Sequence, residues 1–195
     1  LNDTNGVVRA DVTTNMSNNR AVTGIALNAP RGAARIENRG SVVVTSSSNN
    51  ATNYITGLGV IGGTSATLIN SGSVHVTGNQ GTGVEGFTQF IGGLKGDALV
   101  DNSGSIVVSG THAEALGVNF QGVSTSVKSV QFINSGTVEL KGGVTPSATR
   151  AVVGISPSAS TTSLAIPMVI TNSSTGQILG DSSSAGIIFY GAAAT

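Results

Sequence analysis

Nine carboxylates (Asp3, Asp11, Glu37, Glu85, Asp97, Asp101, Glu114, Glu139 and Asp181) and two histidines (His75 and His112) are the side chains of this 195-residue sequence most able to do chemistry. Two carboxyl groups about 5–9.5 Å apart can cleave a glycosidic bond, one as acid and the other as base or nucleophile. His75 and His112 are not spaced as a metal pair. With no Cys in the chain, a thiolate metal site and a disulfide framework are both excluded. A calcium-binding nonapeptide repeat would need an Asp recurring after Gly-rich turns, and no such pattern occurs. Two segments match the dinucleotide fingerprint G-x-G-x-x-G: Gly57-Leu58-Gly59-Val60-Ile61-Gly62 and Gly81-Thr82-Gly83-Val84-Glu85-Gly86. That motif works between a strand and a helix, with an acid further on, and no helical pattern follows either copy. In a chain with 28 Gly, chance matches are expected. The glycosylation sequons at Asn2, Asn15, Asn50 and Asn172 are likewise what a Ser/Thr/Asn-rich chain gives by accident. No catalytic residue, cofactor or metal is expected.

What must position these residues is a repeat. Leu68-Ile69-Asn70-Ser71-Gly72-Ser73-Val74-His75-Val76 returns at 100–108, again at 132–140, and earlier at 36–44 as Ile-Glu-Asn-Arg-Gly-Ser-Val-Val-Val. The Asn falls at 38, 70, 102 and 134, a period of 32 residues held three times. A looser copy places Asn172 38 residues after Asn134, with two residues added before Gly176. Self-similarity at such a period marks a solenoid, whose repeats bury their apolar faces only against their neighbours.

Parity gives the kind of solenoid. Four and two residues before the Asn stand Ala34, Ala66, Ala98, Val130, Met168 and Ile36, Leu68, Val100, Phe132, Ile170. Two and four residues after Gly40, Gly72, Gly104, Gly136 and Gly176 the columns are again apolar, apart from a final Gly180. Alternation with period 2 means strands with one buried face. Asn and Gly suit a tight corner between two such strands, and Asn side chains stacked in register could bond from rung to rung. A Gly-containing strand recurs midway between corners, as in Ala21–Leu27, Tyr54–Val60 and Ala115–Phe120. The expected fold is an all-β, right-handed parallel β-helix with three strands per coil. Residues 1–195 would form one segment of about five to six coils. Residues 1–20 supply a partial coil with its corner at Thr4-Asn5-Gly6, and both ends look like cuts through a longer β-helix.

On this lattice the acids pair poorly. Glu37 and Asp101 share a column but skip a rung, leaving ~9.6 Å between backbones with Ile69 between them. His75 and Glu139 share another column across Val107. The outward column Val43, His75, Val107, Glu139, Leu179 and the column Glu37, Ile69, Asp101, Ile133, Thr171 both put apolar residues on a face that should be wet. Such a stripe is a candidate binding face, at Val43, His75, Val107, Glu139, Ile69 and Ile133. Loops 141–149 and 156–167 are the other candidates, since loops carry function in solenoids.

Charged residues are only 9% of the chain and the net charge is zero, which argues against nucleic acid as a partner. The chain holds no helical membrane span and does not begin with a signal peptide. A surface of Ser, Thr, Asn and Gly leans towards an exported protein. The Ile/Val-Asn-Ser-Gly-Ser/Thr-Val/Ile units at 69–74, 101–106 and 133–138, with the lack of Cys, make the chain resemble a passenger segment of a Gram-negative type V autotransporter adhesin. Gly180-Asp181-Ser182-Ser183 departs from the serine-protease passenger motif at its last Gly.

That resemblance implies display at the bacterial cell surface, or secretion. It implies adhesion to a host-surface or extracellular-matrix receptor, or homotypic contact with a sister cell. Membrane attachment would come only through a C-terminal barrel that lies outside this sequence. The alternative is a carbohydrate-active enzyme, a polysaccharide lyase or glycosidase, on the same fold.

Overall fold

The computed structural model describes residues 1–12, 21–47, 54–78, 83–90, 94–110, 115–142, 150–157 and 166–189. Among them the chain runs through β1 (Val7–Val12), β2 (Ala21–Ala29), β3 (Ala33–Asn38), β4 (Ser41–Ser46), β5 (Tyr54–Gly62) and β6 (Ser65–Asn70). It continues through β7 (Ser73–Gly78), β8 (Gly83–Phe90), β9 (Asp97–Asn102), β10 (Ser105–Ser109), β11 (Ala115–Val123) and β12 (Ser129–Asn134). The last strands are β13 (Thr137–Lys141), β14 (Arg150–Pro157), β15 (Met168–Asn172), β16 (Gln177–Leu179) and β17 (Ala185–Phe189). No helix among the described residues is long and apolar enough to cross a membrane.

These strands form three parallel sheets. The entry sheet, leading into the Asn corner, is β3-β6-β9-β12-β15; the exit sheet, leaving it, is β1-β4-β7-β10-β13-β16. The third sheet is β2-β5-β8-β11-β14-β17. The whole is an all-β parallel solenoid whose coils repeat every 32 residues through its middle, as the offset from Asn38 to Asn70, Asn102 and Asn134 shows. Ladder pairing at that offset satisfies the backbone polar groups that each strand would otherwise leave unpaired.

The core is the set of inward columns. Ile36 pairs Leu68, Leu68 pairs Val100, Val100 pairs Phe132 and Phe132 pairs Ile170. The first four are buried, Ile170 partly so. Val42, Val74, Ile106 and Val138 in the exit sheet are fully buried beside them. In the third sheet, Gly24 and Gly117 occupy points where the strand passes close to the exit sheet. A Cβ at Gly24 would lie 2.6 Å from Val42 Cγ1, and one at Gly117 2.7 Å from Val138 Cγ1. At these two positions the Gly of this strand is thus a close-approach residue.

Candidate functional site

The corner holds a continuous ladder of side-chain amides. Asn38 Nδ2 donates to Asn70 Oδ1 at 2.7 Å, Asn70 to Asn102 at 2.8 Å, Asn102 to Asn134 at 2.8 Å and Asn134 to Asn172 at 2.7 Å. Asn38, Asn70, Asn102 and Asn134 are fully buried, whereas Asn172 is exposed. Each second amide proton is directed at the carbonyl past the next corner, as from Asn38 to Ser73 at 3.2 Å and from Asn102 to Thr137 at 3.3 Å. Every donor points the same way along the stack, so neighbouring amides polarise one another. The corner glycines leave room for it: a Cβ on Gly72, Gly104 or Gly136 would come within 2.0 Å of the carbonyl oxygen of Gly40, Gly72 or Gly104. On Gly40 it would come within 2.2 Å of Gly6, and on Gly176 within 2.4 Å of Asn134 O.

Sequence reasoning put the first corner at Asn5. The ladder instead starts from Asn2, whose Nδ2 donates to Asn38 Oδ1 at 2.8 Å, while Asn5 sits in the turn. The signal was present in Asn172 and Gly176, which share with Asn2 and Gly6 the same offset of four. Sequons Asn2 and Asn172 are therefore occupied as structural amides.

Glu37 and Asp101 are held apart. Glu37 pairs in register with Ile69 and Ile69 with Asp101, so the two carboxylates stand two rungs apart. Glu37 is instead clamped by Arg39 and Arg35, with Arg39 Nε at 2.7 Å and Arg35 Nη2 at 3.2 Å. Those two hydrogen bonds hold its carboxyl below the ordinary range, the opposite of what a general acid needs. Asp11 is lowered in the same way by Arg9, then by Thr45, and Asp3 by the Thr4 backbone amide. His75 and Glu139 flank Val107, and Glu139 pairs with Lys141 at 2.9 Å. Among the described residues no three His, Cys, Asp or Glu side chains converge as a metal site. Gly57–Gly62 lies inside β5, and the described part of the second G-x-G-x-x-G match, Gly83–Gly86, lies inside β8.

One acid that the spacing did not single out is bound inside. Asp181 Oδ2 meets Arg150 Nη2 at 2.7 Å, with the Arg side chain 1% exposed. Arg150 Nη1 also donates to Gly110 O at 3.0 Å, and Asp181 Oδ1 accepts from Ser183 N and Oγ. This pair joins three successive coils. Arg150 and Asp181 stand off the 32-residue register, so periodicity carried no sign of the pair.

The outward columns lie in register but on two sheets. Val43, His75, Val107, Glu139 and Leu179 belong to the exit sheet. Ile69, Asp101, Ile133 and Thr171 belong, with Glu37, to the entry sheet. The Asn corner separates them, so they are two faces, not one stripe. Ile133 is 37% and Leu179 42% exposed, while Val43, Val107 and Ile69 are half-buried between neighbouring rungs. A groove of about 290 Å³ lies on the third sheet, lined by Thr23, Ala26, Asn28, Thr56, Gly59 and Ile61 among others. Residues 143–149 and 158–165, most of the two candidate loops, and His112 lie outside the described residues. No protein-family model, curated protein or solved structure matches the chain.

Proposed function

We propose that this chain is a non-enzymatic binding module: a surface-displayed β-helix passenger segment of the type V autotransporter kind, acting in adhesion or self-association. Its solenoid is taken as right-handed with three strands per coil, supported by the three sheets that each receive every third strand in the body of the chain and by the handedness of parallel crossovers. The observation that carries the reading is the pair of flat, in-register faces on either side of the corner. Both present half-exposed Val, Ile and Leu among hydroxyls, with most of their charges drawn into ion pairs along the strand. Such faces suit an extended partner surface better than a small substrate. The tying of Glu37 to Arg35 and Arg39 also supports binding over hydrolysis.

The test is adhesion of beads coated with the purified chain to host cells and matrix, and bead–bead clumping, for the parent and for Val107→Glu and Ile133→Glu. Loss of either activity with unchanged circular dichroism and melting is expected. Adhesion equal to the parent's in both variants removes the faces as the site. Release of reducing ends or unsaturated uronates from polysaccharides, abolished by Glu37→Gln or Asp101→Asn, would establish the enzymatic alternative.

A further inference from the structure

We propose that the outer face of the exit sheet binds a second copy of this chain across a two-fold axis running along β7. The inference rests on the binding-module reading and names the partner for its homotypic arm.

The outward side chains of this sheet form three in-register columns. An uncharged one runs Val7, Ser41, Ser73, Ser105, Thr137, a second Arg9, Val43, His75, Val107, Glu139, and the third Asp11, Thr45, Thr77, Ser109, Lys141. Charges that do not depend on His75 occur only on the first and fifth rungs, and their signs are crossed. Arg9 lies beside Asp11 at 2.6 Å on the first, and Glu139 beside Lys141 at 2.9 Å on the fifth. Placing two such sheets face to face about an axis along β7 reverses the order of rungs but sets each column against itself. Arg9 then faces Glu139 of the second copy, and Asp11 faces its Lys141. Val43 faces Val107, Thr45 faces Ser109, and His75 and Thr77 meet their own counterparts on the axis. Each copy contributes an ion pair at both ends, and the two pairs close into rings of alternating sign around an apolar and hydroxyl centre.

The pattern also selects the register. An axis half a rung away would oppose Arg9 to Leu179 and Val43 to Glu139, stranding charge on apolar surface. An axis one rung away would face Lys141 with Thr77 and leave Arg9 and Asp11 without a counterpart. The entry sheet has no such symmetry, because its acids Glu37 and Asp101 stand on alternate rungs with both flanking arginines at one end.

Five rungs of five residues cover ~19 by ~17 Å. Two copies thus bury roughly 650 Å², below the standard size of a stable interface. The expected dimer is weak and salt-sensitive, with the charges setting register more than affinity. It becomes effective where many copies face each other.

Sedimentation equilibrium of the full chain at high micromolar concentration tests this. We expect a monomer–dimer equilibrium in the parent. The dimer should weaken about tenfold or more in the pair Glu139→Lys/Lys141→Glu, and equally in the pair Arg9→Asp/Asp11→Arg. Mixing the two double variants restores complementary rungs and should recover the dimer. Unchanged circular dichroism in each variant separates association from folding. A parent that stays monomeric, a dimer indifferent to both reversals, or a mixture that fails to recover each overturns the proposal. A monomeric parent that still adheres to host cells or matrix leaves the binding-module reading standing. One that neither dimerises nor adheres removes both.

Discussion

Asn38 and Asn70, 32 residues apart and both fully buried, are joined side chain to side chain by a 2.7 Å hydrogen bond. The same bond repeats between Asn70 and Asn102 and between Asn102 and Asn134. One amide thus serves at once as acceptor for the rung before and donor to the rung after. Asn102→Ala leaves Asn70 Nδ2 and Asn134 Oδ1 each short of a partner inside the core. A loss of about 1–3 kcal/mol is expected, read as a shift of the denaturant midpoint with unchanged slope. Asn102→Asp should cost more, because a carboxylate cannot donate to Asn134 Oδ1.

Gly104 has no space for a side chain, since a Cβ would stand 2.0 Å from Gly72 O. Gly104→Ala must therefore push neighbouring rungs apart, at about 3 kcal/mol. Gly32 meets nothing within 4 Å, so Gly32→Ala should stay within about 0.5 kcal/mol of the parent. Thermal melts of both variants check the contrast.

Phe132 is fully buried between Val100 and Ile170. Phe132→Ala leaves a cavity in a column that cannot close without breaking register, and about 3–5 kcal/mol of stability should be lost. Phe132→Leu should recover most of it. Chemical denaturation of the two variants gives the comparison.

Arg150 and Asp181 form an ion pair whose Arg side chain is 1% exposed. Asp181→Ala leaves a buried guanidinium without its carboxylate and should cost about 3–5 kcal/mol. The double variant Arg150→Met/Asp181→Ala should cost less than Asp181→Ala alone, because no stranded charge remains. A double-mutant cycle in denaturant measures the coupling.

Asp3, Asp11 and Glu37 are held below their ordinary values of 3.8, 3.8 and 4.5. A carboxyl lowered on folding stabilises above its unfolded value, and that contribution is lost as pH falls through the folded one. Melting temperature should therefore be level near neutral pH and fall as pH drops through about 4.5 and below. Asp11→Asn and Glu37→Gln should each flatten that fall. A profile unchanged in both variants would remove these carboxylates as its cause.

The sequence alone determined the strands on either side of the corner, their buried columns and their register. A parallel stack translates each residue onto its counterpart one coil later, so a 32-residue repeat and period-2 alternation already contain Ile36 over Leu68 and Asn38 over Asn70. What breaks the repeat was not legible. Asn2 joins the ladder by spanning two extra residues to Gly6, and Arg150 reaches Asp181 from outside the 32-residue register. The corner read at Asn and Gly already implied that Val107 and Ile133 stand on different strands of the coil, and the two sheets keep them apart. Periodic contacts are written in one dimension. The crossed charges of Arg9, Asp11, Glu139 and Lys141 became one face only when four coils brought residues 130 positions apart onto the same sheet.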